Sequence, residues 1–104
     1  MPMTLVVTRD VPMRFRGFLA SCMLEVAPGT YTSPSMSRAV RERVWKALVE
    51  WHDALRQGSV LMTWPDAKRP GGQAIAVLGA PHKDIFVKDG MYLAHRATSV
   101  SDIV

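Results

Sequence analysis

A single cysteine, Cys22, rules out a disulfide within the chain. Three histidines, His52, His82 and His95, stand at no Cys/His spacing that suggests zinc. They fall on a helix flank, in a loop and near a strand end, with no serine or cysteine nucleophile paired to them, which argues against a triad-type hydrolase. No apolar run approaches the roughly 18 residues of a membrane span. Arg9 and Asp10 break the first apolar segment too early for a signal-peptide pattern. A cytoplasmic protein is the expectation. Internal repeats and low-complexity stretches are also missing. Lysine is scarce, because nine of the 13 basic residues are arginine.

What is present begins with that arginine excess. The formal charge is +4, and Arg9 to Arg43 holds six arginines, no lysine and three acids. Arginine is the side chain best suited to bidentate phosphate contact. A hydrophobic fraction of 48% over 104 residues describes one globular domain with a thin core. We take residues 1–96 as that domain and 97–104 as a polar tail expected to fray.

Met3 to Thr8 reads as a buried strand. Asp10 is expected to cap the helix that follows, with Pro12 in its first turn. Its apolar stripe is Phe15, Phe18, Leu19, Cys22, Met23 and Val26, flanked by Arg14 and Arg16. Cys22 is expected to fill core space. Ala27-Pro28-Gly29 turns the chain between Leu24–Val26 and Thr30–Thr32, a candidate hairpin. Ser37 caps a long second helix that stops at Gly58. Its buried stripe is Val40, Val44, Ala47, Leu48, Trp51 and Leu55. A second stripe holds Arg38, Arg41, Trp45, His52 and Arg56.

Ser59–Trp64 and Gln73–Leu78 form a hairpin around the loop Asp66 to Gly72. Lys88-Asp89-Gly90 joins a final hairpin between Ile85–Val87 and Met91–Ala94. This order predicts an α+β, ferredoxin-like sandwich: one mostly antiparallel sheet, two helices on one face and extra C-terminal strands. Val60–Trp64 and Ala74–Leu78 are apolar on both faces, so a second subunit packed sheet to sheet is expected to cover the other face.

Three groups of residues could carry chemistry. At the first helix start, free N–H groups, the helix dipole, Arg14 and Arg16 together suit a phosphate, unless the arginines merely pass over core. Asp10 could hold Mg²⁺ with a symmetry mate, or only cap the helix. The stripe from Arg38 to Arg56 could follow a nucleic-acid backbone or be an ordinary solvated face. Lys68-Arg69 and His82-Lys83 are basic loop tips whose default reading is solvation, with phosphate contact the lesser one.

The segments LVVTRDVPMRFRGFLASCMLEVAPGTYTS, SRAVRERVW, GSVLMTWP and DGMYLAHR resemble the small CRISPR-associated protein Cas-two (Cas2), most closely its type I-E (E. coli-like) branch. The resemblance runs from about Met3 to Arg96. It implies a ferredoxin-like homodimer between two dimers of the integrase Cas-one (Cas1), acting in spacer acquisition. In that branch the small subunit is a non-catalytic scaffold that holds double-stranded protospacer DNA by its backbone, and no cofactor is required. The resemblance carries DNA contact to Arg14, Arg16, Arg38 and Arg41, and loosely to His82 and Lys83. It places partner binding on Phe86, Val87, Met91, Tyr92 and Leu93, by strand addition. Other branches are described as Mg-dependent endonucleases using an acid at the end of the first strand. Here the position after Thr8 is Arg9, and the acid follows at Asp10. A paired Asp10 nuclease is therefore the alternative reading.

Overall fold

The computed structural model describes residues 3–79, and the backbone of residues 83–88 and 91–96. Seven strands and two helices follow one another as β1 (Thr4–Arg9), α1 (Met13–Cys22), β2 (Leu24–Ala27), β3 (Thr30–Ser33), α2 (Arg38–Leu55), β4 (Ser59–Pro65), β5 (Gln73–Leu78), β6 (Lys83–Lys88) and β7 (Met91–Arg96). A short 3-10 turn, Pro70–Gly72, precedes β5. The main sheet has the order β2-β3-β1-β4-β5, with every neighbour antiparallel. Two β-α-β units interleave in it, which is the ferredoxin-like arrangement, with β5 added at one edge. β6 and β7 pair only with each other among the described residues.

Strand register decides which side chains enter the core. Val6 lies opposite Tyr31 on one neighbour and Met62 on the other. These three share a face with Thr4 and Val60, and all five are buried. Phe15 and Leu19 from α1, and Val44 and Leu48 from α2, pack onto the same cluster. Both helices therefore cover one face of the sheet. Fully burying each such side chain contributes roughly 1.5–3 kcal/mol.

The opposite face carries Leu5, Thr63 and Ile75 in one cross-strand row and Val7, Leu61 and Val77 in the next. These side chains are half-buried or exposed, and Met3 and Leu24 are more exposed still.

Several expectations are corrected. Asp10 does not cap α1. It has φ 55, in the left-handed region, and Pro12 takes the N-cap position with no side-chain cap. The residue before a proline is driven to extended backbone, so the helix begins only after Pro12. α1 ends at Cys22 because Met23 is already extended. Cys22 is exposed and fills no core. Val26 lies exposed on β2, and Val40 and Leu55 are exposed near the two ends of α2. Ser37 does cap α2, with its hydroxyl accepting from the Val40 N–H at 3.2 Å. No helix is long and apolar enough to cross a membrane among the described residues.

Candidate nucleic-acid interface

The end of β1 is held from both sides. The Gly29 carbonyl accepts from the Thr8 N–H at 2.7 Å and from the Thr8 hydroxyl at 2.9 Å. On the other side the Gln57 amide donates to the Asp10 carbonyl at 3.2 Å. Gly58, at φ +76, lies so close that a Cβ there would sit 2.4 Å from the Arg9 carbonyl oxygen. This packing fixes the corner that aims α1 across the sheet. His52 is part of the same frame, with Nε2 at 3.3 Å from the Gly58 carbonyl oxygen.

Arg14 and Arg16 leave α1 in different directions. The Arg14 guanidinium carbon lies 5.0 Å from the centroid of the Trp51 ring on α2. Trp51 is itself gripped edge-on by Phe15 at 5.7 Å and Phe18 at 5.0 Å. A cation held over an indole face is attracted by the ring's electron density and needs no hydrogen bond to be placed there. Among the described residues Arg14 has no carboxylate partner. Arg16 turns to the β2 side, where its Nη2 is 3.9 Å from Glu25 Oε2. Both side chains are well exposed, so this pair offsets little of the arginine's charge.

Beneath Arg16 lies a second feature that the sequence did not announce. The Tyr31 hydroxyl is buried beside Arg16 and Glu25, with no partner at hydrogen-bond distance among the described residues. Burial pushes its pKa above 10.0, while nearby Arg16 lowers it and Glu25 raises it to lesser extents.

Arg38 and Arg41 stand at the other end of the molecule, because α2 starts beside the beginning of β1 and α1 starts beside its end. Arg41 lies over the Trp64 ring at 4.5 Å and, like Arg14, has no carboxylate partner among the described residues. Arg38 is paired with Glu42 at 2.9 Å, one turn along the exposed face. Trp51 is ten residues beyond Arg41 on α2, about 15 Å along the helix axis at 1.5 Å per residue. The four arginines are thus spread along the helical layer and form no single patch. The Arg–Trp pairings are what sequence reasoning missed, because Trp64 comes from a strand that no helical spacing connects to Arg41.

Asp10 borders a cleft of about 400 Å³ with Arg16, Thr8 and Gln57. No three His, Cys, Asp or Glu side chains come together as metal ligands among the described residues. Mg²⁺ favours carboxylates and water in octahedral array. A single carboxylate in this cleft does not complete a site for that ion within one chain. His82 lies outside the described residues. Lys83, Phe86 and Val87 are on β6, and Met91, Tyr92 and Leu93 on β7, with Phe86 opposite Leu93, Val87 opposite Tyr92 and Lys88 opposite Met91.

Fold and surface together define a small ferredoxin-like α+β domain whose helical layer holds Arg14 and Arg41 over tryptophan rings, with no carboxylate partner for either among the described residues. Residues 3–93 match the family model described as CRISPR-associated protein (Cas_Cas2CT1978). The chain belongs to this Cas2-type family of CRISPR-associated proteins.

Proposed function

We propose that this chain is the non-catalytic, DNA-binding scaffold of a CRISPR adaptation complex, of the type I-E kind. In this reading two copies pack sheet to sheet, bridge dimers of the integrase Cas1, and hold protospacer duplex by its phosphates. The observation that carries it is Arg14, charged, stacked on Trp51 and free of carboxylates among the described residues. A pre-positioned guanidinium can grip a phosphate bidentately without first breaking an ion pair. Phosphate contacts position a duplex without reading its bases, so binding is independent of sequence.

Two other features support the assembly. The rows Leu5–Thr63–Ile75 and Val7–Leu61–Val77 offer an apolar surface to a second copy. An isolated two-stranded hairpin is marginally stable in water, so β6–β7 gains from a third strand supplied by a partner. The deciding experiment is co-purification with Cas1 followed by integration on a repeat-bearing plasmid. Stable co-purification and Arg14- and Arg16-dependent integration are expected. Integration that proceeds equally well without this chain would overturn the reading. The rival reading, a metal-dependent endonuclease, rests on Asp10 paired with its copy across a dimer interface.

A further inference from the structure

We infer that the β4–β5 loop and the first half of α2 form a second phosphodiester-binding groove, gripping a nucleic-acid strand through Lys46, Lys68 and Arg69. The inference rests on the DNA-binding reading and extends it to residues outside the four arginines already considered. The groove is about 760 Å³, with Met62 and Trp64 among its lining residues. Arg38, Arg41 and Lys46 line it from α2, and Lys68 and Arg69 line it from the loop. Five cations thus face two acids, Glu42 and Asp66.

The loop is not a loose basic tip. Asp66 Oδ1 accepts from the Lys68 N–H at 3.0 Å, and the Asp66 carbonyl accepts from the Arg69 N–H at 3.0 Å. The Gly72 carbonyl accepts from the Asp66 N–H at 2.9 Å, closing the loop on itself. Asp66 therefore spends its carboxylate shaping the loop, and its contact with the Arg69 guanidinium is long, at 3.9 Å. Lys46 and Lys68 have no carboxylate partner among the described residues. Glu42 is held by Arg38. The net surplus is positive, and Arg41 is aimed by its stack on Trp64. A chain of phosphates is the polyanion that matches cations on two facing walls.

The test measures binding of a fluorescein-labelled duplex of random sequence by the full-length protein, as a function of salt. Three variants are compared: Lys68→Ala with Arg69→Ala, Lys46→Ala, and Arg14→Ala with Arg16→Ala. The loop variant is expected to weaken binding and lower the salt slope by about 1.8, and Lys46→Ala by about 0.9, the value of one phosphate contact each. Lys46 lies on α2, outside the loop's hydrogen bonds, so its result stands even if the loop variant misfolds. If both groove variants bind like the parent while the Arg14/Arg16 variant is impaired, the groove is overturned and the scaffold reading stands. If all three bind like the parent, both fail. If the groove variants keep DNA affinity but lose Cas1 in co-purification, the groove serves a protein surface and the inference is overturned.

Discussion

Arg14 stacks on Trp51, its guanidinium carbon 5.0 Å from the ring centroid, and so ties the first turn of α1 to the last turns of α2. The pair unites a packing role and a charge role in one side chain. Phe15 and Phe18 lock the ring from the α1 side, so the cation's position is set by the core and not by a surface ion pair.

Replacing Arg14 and Arg16 together by alanine should weaken duplex binding equally for unrelated sequences. The salt slope should fall by about 1.8, for two lost phosphate contacts. Arg14→Lys, with Arg16 kept, should fall between parent and double variant, because lysine keeps the charge and loses the planar stack. Fluorescence anisotropy across a salt series reads both effects.

Asp10→Asn should leave spacer integration intact, since the proposed scaffold role asks nothing of the carboxylate. Asparagine also tolerates the left-handed φ of 55 at this corner. Asp10→Val, by contrast, should cost about 1–2 kcal/mol from backbone strain alone. Thermal denaturation separates the two substitutions, and an integration assay on the asparagine variant checks the first claim.

Gly58→Ala should be among the most damaging single-methyl changes. Its φ is +76, and the added Cβ would meet the Arg9 and Asp10 carbonyl oxygens at 2.4 and 2.5 Å. A loss of at least ~2 kcal/mol follows from strain of this kind, or a Tm lower by about 8 °C or more. Calorimetry of the purified variant measures it.

Val7→Lys places a charge in the Val7–Leu61–Val77 row on the sheet face away from the helices. In the proposed two-fold dimer the change occurs twice at one interface. The protein should run as a monomer in light scattering, with its circular dichroism spectrum retained. A dimer that survives would show that the second copy docks elsewhere.

Tyr31→Phe should be neutral or stabilising near neutral pH, because it removes a buried hydroxyl that has no partner. The phenol's folded pKa is raised above 10.0 by burial. Its contribution is therefore fully present below pH 10.0 and is lost as pH rises through the folded value. The parent should lose stability at alkaline pH, and the phenylalanine variant should lose less. Urea denaturation at a series of alkaline pH values provides the comparison.

Much of the fold was legible in the chain because local patterns carried it. The β4 and β5 runs, the Ser37 cap and the two hairpins follow from alternation and turn residues that act over a few positions. Asp10 misled because two local rules compete there: a good capping side chain stands two residues before a proline. The proline's restriction on Val11 wins, and the capping position passes to Pro12. Cys22 misled because the helix stops there: Met23 is already extended and takes the buried place, which leaves the thiol exposed.

The order of elements, the apolar face of each helix, the arginine-rich first half and the resemblance from about Met3 to Arg96 are all readable along the chain. Those are properties of neighbours along the chain. The contacts of Arg14 with Trp51 and of Arg41 with Trp64 arise in the folded chain alone, because each joins a helix to a residue on another element. Folding also brings the Lys68–Arg69 loop across from α2. The reason is physical: a stacked pair or a groove is made by elements distant in sequence, and the sheet order that brings them together is fixed by burial of the whole core.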